Sequence, residues 1–177
     1  MLNQQVALVT GASRGIGAAI AVALGKQGAT VIGTATSASG ADAITAALQA
    51  AGVNGVGMAL DVTQPEQVDA VLKQIATQFG DVSILVNNAG ITKDTLLMRM
   101  KDEDCDAVLN TYLKSVFRMS QAVLRPMMKA RQGRIVNISS VVGHMGNAGQ
   151  TNYAAAKAGM TGFTKSMAME VGSRGIT

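Results

Sequence analysis

Tyr153 and Lys157 stand four residues apart in the run Thr151-Asn152-Tyr153-Ala154-Ala155-Ala156-Lys157. On a helix that spacing places both side chains on one face, one turn apart. A nearby cation favours the ionised form of a phenol, so a tyrosine in this position can serve as a proton donor. Each unit by which its pKa falls corresponds to about 1.4 kcal/mol. The alanines between the two leave the face uncluttered and strengthen the helix. The same spacing also arises where a lysine snorkels beside a half-buried tyrosine, so the rest of the chain decides between the readings.

A glycine loop, Thr10-Gly11-Ala12-Ser13-Arg14-Gly15-Ile16-Gly17, follows an apolar run and opens a helical one. Glycines let the backbone turn sharply and approach a diphosphate closely, with the helix N-terminus aimed at it. The spacing is Gly-x-x-x-Gly-x-Gly rather than the more familiar Gly-x-Gly-x-x-Gly. Gly11, Ser13, Arg14, Gly15, Ile16 and Gly17 are candidate dinucleotide contacts, against the plainer reading of a glycine-rich turn with no ligand. The second apolar run ends Gly33-Thr34-Ala35-Thr36-Ser37, without the carboxylate that would meet a ribose 2′-hydroxyl. Arg14 together with hydroxyls such as Thr36 suits a 2′-phosphate and so NADP(H); the alternative for Arg14 is a solvated loop charge.

Other polar residues follow the later apolar runs. Asp61-Val62 comes after the third, where a carboxylate can accept from an adenine amino group or simply cap the next helix. Asn87-Asn88-Ala89-Gly90 comes after the fourth; its amides can tie strand ends together and line a cofactor cleft, though alone it signals only a turn. Ser140 ends the fifth, thirteen residues before Tyr153, where a hydroxyl belongs at the ligand edge of a parallel sheet. His144, the single histidine, has no motif partner and reads as a loop residue. Cys105 sits among Asp102, Glu103, Asp104 and Asp106, a solvated helix start with charges that suit the macrodipole.

The elements that must position these groups alternate along the chain. Apolar runs at 6–10, 29–34, 56–60, 82–86 and 134–138 lack a two-residue period, as buried parallel strands do. Helical segments are predicted at 15–27, 39–51, 65–79, 103–130 and 151–173. The third opens Thr63-Gln64-Pro65-Glu66, a capping residue followed by Pro and Glu. Alternating strands and helices give an α/β doubly wound parallel sheet, Rossmann-like, with right-handed crossovers, as a single domain over residues 1–177. Ser173-Arg174-Gly175-Ile176-Thr177 ends a helix and begins a sixth strand, so the chain is expected to be truncated at its C-terminus.

Composition fits this reading. Of 177 residues, 48% are hydrophobic and 15% charged, which is globular rather than disordered. A net charge of +4 without a dense Lys/Arg run falls short of a nucleic-acid footprint, and would suit an acidic or phosphorylated ligand. No apolar stretch reaches about 18 residues, so no membrane span is expected. The single cysteine cannot form an internal disulfide, and no signal peptide is visible; both point to the cytoplasm.

Together these motifs resemble the short-chain dehydrogenase/reductase family, in order and spacing, over the whole chain. Within it, the stretches at 31–37, 88–94 and 146–153 are most similar to the bacterial reductases of 3-oxoacyl-[acyl-carrier-protein] in fatty acid synthesis. The resemblance implies a catalytic Ser140, Tyr153 and Lys157. Ser140 would polarise the carbonyl oxygen and Tyr153 would protonate it. Lys157 would lower the tyrosine pKa and bind the nicotinamide ribose. It implies hydride from NADPH, cofactor contacts from Gly11, Ser13, Arg14, Gly15, Ile16, Gly17, Thr36, Asp61, Val62, Asn88, Ala89, Gly90, Tyr153 and Lys157, and a homotetramer. Arg131 and Arg174 match basic positions that dock the acidic acyl carrier protein, against a reading as ordinary surface arginines.

The sequence departs from the family in two places. Tyr112 stands where the family has an Asn that holds a water linking the lysine to solvent, and Asn110 is roughly 200° away around a helix. The chain also ends before the family's C-terminal strands and substrate loop. Two other readings therefore stand beside carrier-protein reduction. One is a short-chain reductase of another carbonyl, such as an acyl-CoA, a polyketide or a sugar. The other is a cofactor-binding subunit made inactive by Tyr112 and the missing C-terminus.

Overall fold

The apolar runs without alternation become strands covered on both faces. The computed structural model describes all residues from 1 to 177. Its strands are β1 (Val6–Val9), β2 (Thr30–Ala35), β3 (Gly55–Ala59), β4 (Ile84–Asn87) and β5 (Arg134–Asn137). All pair in parallel, in the order β3-β2-β1-β4-β5, with Leu8 between Ile32 and Leu85. Beyond β5, Gly133 bridges to Ile176 in parallel. The Ile135 N–H donates to the Thr177 carbonyl, and the Thr177 N–H to that of Gly133. A single parallel bridge at Ile176 thus stands where a sixth strand is predicted to begin.

Helices α1 (Gly15–Lys26) and α2 (Ala38–Ala50) cover one face, while α3 (Pro65–Gln78), α5 (Ser115–Ala130) and α7 (Thr151–Val171) contribute to the other. Alternate residues of β1 serve the two layers. Ala7 and Val9 pack with Ala21, Ile44 and Leu48, whereas Val6 and Leu8 pack with Val68, Ile75, Met119 and Val123. Burying each larger aliphatic side chain contributes about 1.5–3 kcal/mol. No helix is long and apolar enough to cross a membrane.

The helix predicted over 103–130 runs unbroken from residue 102 to 130 but is not regular throughout. α4 (Asp102–Leu109) leads into a π-helical turn, Asn110–Lys114, before α5 begins. The hydroxyl of Ser115 donates back to the carbonyls of Thr111 and Tyr112, a bond that competes with the regular ladder. The extra residue per turn changes which side chains face inward after it. Two smaller differences occur nearer the C-terminus. His144 lies in a one-turn helix, α6 (Val142–Met145), rather than a loop, and Gly172–Arg174 tighten into a 3₁₀ turn after α7.

A side-chain ladder binds α7 to the sheet. Asn87 Nδ2 donates to Asn137 Oδ1 at 2.8 Å, Asn137 Nδ2 to Thr164 Oγ1 at 2.8 Å, and Thr164 to the Met160 carbonyl at 2.7 Å. Removing Asn137 leaves the buried Asn87 amide unpaired. Asn137→Ala is expected to destabilise the chain by about 2 kcal/mol in urea unfolding with an unchanged slope. A loss below about 0.5 kcal/mol would show that the ladder does not hold α7 in place.

Candidate active site

The candidate residues gather where the strands end. The glycine loop leaves β1 with Gly11 at φ +64°, and a Cβ there would lie 2.8 Å from the Ala89 Cα. A Cβ on Gly17 would lie 2.2 Å from the Gly11 carbonyl oxygen and 2.4 Å from the Asn88 amide. Only glycine permits this packing of loop, helix and strand end. Asn88 Nδ2 donates to the carbonyls of Thr10 and Gly11, each at 3.0 Å. Thr10 Oγ1 accepts from the N–H groups of Asn88 and Ala89 and donates to the Val86 carbonyl. The Asn88 amide therefore ties two strand ends together, as expected of it.

α1 begins with Arg14 at its N-cap, in extended conformation and with no side-chain cap, and its first turn holds no acidic residue. Its first turn borders a cleft of about 880 Å³ lined by Gly11, Ser13, Arg14, Gly15, Ile16, Gly17, Thr36, Asp61, Val62, Asn88, Ala89 and Gly90, and also by Asn110 and Thr111. That volume is typical of a small-molecule site. Uncapped donors, a positive helix end and the exposed Arg14 suit a phosphorylated dinucleotide, so the residues present fit the group. Asp61 Oδ1 accepts from the Thr63 N–H and hydroxyl, at 2.9 and 2.7 Å, and so shapes the turn before α3. Gln64, not Thr63, occupies the N-cap of α3, followed by Pro65.

Tyr153 and Lys157 meet the ring of Tyr112, which reaches Gly90 in the wall of this cleft. α6 lies against α7 at Lys157, because a Cβ on Gly143 would be 2.9 Å from the Ala158 nitrogen and the Lys157 carbonyl carbon. That packing brings the end of β5 to the middle of the helix face. Ser140 Oγ accepts from the Val142 N–H at 3.2 Å, which leaves its own proton free to donate. Lys157 is only 4% exposed. Its Nζ donates to the Ile138 carbonyl and lies 4.3 Å from the centre of the Tyr112 ring and 5.6 Å from that of Tyr153. Burial lowers the Lys157 pKa to about 8. The Tyr112 and Tyr153 rings meet edge to face at 5.2 Å. Burial, then Tyr153, then Asp94 push the Tyr112 phenol up to about 12.

Sequence reasoning missed the residues that fix the start of α7. Asn152 Nδ2 donates to the Lys93 carbonyl at 3.1 Å, and its Oδ1 accepts from the Tyr153 N–H at 2.8 Å. Gln150 donates to Asp94 Oδ2 at 2.8 Å, and the Thr95 N–H to the Gly149 carbonyl at 2.9 Å. Their signal was a polar residue directly before the tyrosine, which no periodicity distinguishes. Arg131 has left-handed backbone and donates from Nη2 to the Ser173 carbonyl at 3.1 Å; it and Arg174 are exposed.

Comparison with known proteins adds an independent finding. The profile of the family described as short chain dehydrogenase matches residues 5–177. The 3-oxoacyl-[acyl-carrier-protein] reductase FabG of Vibrio cholerae serotype O1 is 67% identical over 176 residues, covering 99% of this chain and 71% of that protein. The proteins of the same name from Pseudomonas aeruginosa and Escherichia coli K12 are 64% identical over 176 residues and 62% identical over 173. Those matches cover 99% and 98% of this chain, and 71% and 70% of the relatives.

The buried lysine sets a pH dependence of stability. Its folded pKa of about 8 lies below the ordinary 10.5, so between those values the unfolded chain binds more protons and stability rises with pH. Tyr112 acts oppositely and only above pH 10, where the unfolded phenol ionises first. The stability of the parent minus that of Lys157→Met should be flat below pH 8 and climb from there to pH 10, by up to about 3 kcal/mol. A difference that does not change with pH in urea unfolding would show that burial does not depress the lysine.

Proposed function

We propose a specific reaction for this chain, which belongs to the short-chain dehydrogenase family and is an oxidoreductase. The reaction is the NADPH-dependent reduction of a 3-oxoacyl group on acyl carrier protein to the 3-hydroxyacyl form, in fatty acid synthesis. The observation that carries it is the likeness, at 60–67% identity over nearly the whole chain, to proteins named for this reaction. The site supports it with a hydroxyl, a phenol and a buried ammonium beside a cleft suited to a dinucleotide.

The nicotinamide, when bound, would supply the hydride. The Ser140 proton, free because Val142 occupies only a lone pair, is offered to the substrate carbonyl oxygen. Tyr153 gives its proton to that oxygen as negative charge develops there. Lys157, one turn along the helix, would stabilise the phenolate left behind and would hold the nicotinamide ribose. With a pKa of about 8 it is mostly charged at pH 7, and its help falls away as pH rises above that. Arg14 and Thr36 take the 2′-phosphate, which sets NADPH above NADH. Arg131 and Arg174, close together after α5 and α7, meet the acidic carrier protein. Further copies of the chain complete a cytoplasmic tetramer.

The test is NADPH oxidation with acetoacetyl-carrier protein. Turnover is expected to exceed that with acetoacetyl-CoA, and Tyr153→Phe to lower it about 10²–10⁴-fold. Equal turnover of both thioesters, unaffected by Arg131→Ala, would point to another carbonyl substrate. Tight NADPH binding without turnover would favour the cofactor-binding reading, to which Tyr112 lends support. Arg14→Ala should weaken NADPH about tenfold and leave NADH unchanged; equal losses would refute the 2′-phosphate role.

A further inference from the structure

The dinucleotide cleft and the Ser140–Tyr153–Lys157 group are adjacent but separate. The cleft runs from the glycine loop to Gly90, Ile91 and Thr111, and neither Ser140, Tyr153 nor Lys157 lines it. Tyr112 stands between the two. One face of its ring lies 4.3 Å from Lys157 Nζ, and the Tyr153 ring meets it edge to face at 5.2 Å. Its phenol end lies on Gly90, where a Cβ would be 2.2 Å from Cε1 and 2.3 Å from the hydroxyl oxygen. The ring therefore fills the space that a side chain at residue 90 would take, and Gly90 is part of the cleft wall. The π-helical turn sets this division. Asn110 and Thr111 line the cleft, whereas Tyr112 is 9% exposed and turned toward α7.

We propose that Tyr112 is a gate between the two halves of the site. In its observed position it keeps the nicotinamide end of a dinucleotide away from Ser140, Tyr153 and Lys157, while the diphosphate and 2′-phosphate end keeps its full cradle. This rests on the dinucleotide reading above. The nicotinamide enters only in the fraction of molecules whose ring has left Gly90 and Lys157, and the affinity that the nicotinamide adds to that of the phosphate end is reduced by that fraction. The ring is a positioning element in the resting chain, since it also covers the Lys157 ammonium, which has a single backbone acceptor. The gate lowers cofactor affinity and leaves the chemistry of the open state unchanged.

Isothermal titration calorimetry with NADPH and with its fragment 2′-phospho-ADP-ribose tests this without reference to turnover. The parent should bind the two within about threefold of each other, because the nicotinamide adds little while the gate is shut. Tyr112→Asn should tighten NADPH about tenfold and leave the fragment unchanged. Tyr112→Phe, which keeps the ring, should match the parent. A parent that binds NADPH tenfold or more tighter than the fragment overturns the gate, whether or not Tyr112→Asn folds. So does a ratio unmoved by Tyr112→Asn, or a Tyr112→Phe that behaves like the Asn variant. If the parent binds neither ligand, the dinucleotide reading itself fails and the gate fails with it.

Discussion

An ammonium group buried beside the end of a parallel sheet constrains everything around it. Lys157 Nζ has one backbone acceptor, the Ile138 carbonyl, and otherwise meets the faces of two aromatic rings. A cation so placed is held only if its neighbours are rigid, because each compensates part of a large desolvation cost. The sheet supplies that rigidity from one side, through β5. The asparagine ladder from Asn87 through Asn137 to Thr164 supplies it to α7 from below. The bonds from Asn152 and Gln150 to residues 93 and 94 supply it at the helix start.

The same logic operates on the other side of the sheet's divide. Strands β1 and β4 are neighbours whose following segments turn to opposite faces, and the crevice between their ends is where a ligand fits an α/β sheet. Thr10 and Asn88 close that crevice at its base by exchanging hydrogen bonds with each other's backbone. The glycine loop then lies close enough to Ala89 that no side chain could intervene. Polar side chains thus do at the strand ends what ladder bonds do inside the sheet. They leave the helix N-terminus of α1 free to meet an anion.

Much of this was readable from the residues. Strands such as Val6–Val9 declare themselves because both faces are buried and no polar residue interrupts them. The glycine loop declares itself because few residue types satisfy its geometry, whereas the Tyr153–Lys157 pair gains weight only from the motifs around it. The π-helical turn did not, since Leu109, Tyr112, Leu113 and Val116 keep an acceptable helical spacing with or without an extra residue in the turn. Tyr112 was visible as a departure from a family pattern, yet its contact with Gly90 depends on a backbone approach that no periodicity encodes. The start of α7 was opaque for a similar reason. Asn152 bonds to a backbone carbonyl 59 residues away, and a backbone carbonyl is the same in every residue type.

The scarcity of aromatic residues has an optical consequence. The chain has no tryptophan and two tyrosines, and those two are Tyr112 and Tyr153, in edge-to-face contact. Every other strong near-ultraviolet chromophore is missing from the core. Excitation that selects tyrosine therefore reports on a single spot in the molecule, where two phenols and an ammonium meet. Global unfolding, movement of one ring or ionisation of either phenol would each change the signal from that spot, against a background that the rest of the protein leaves dark.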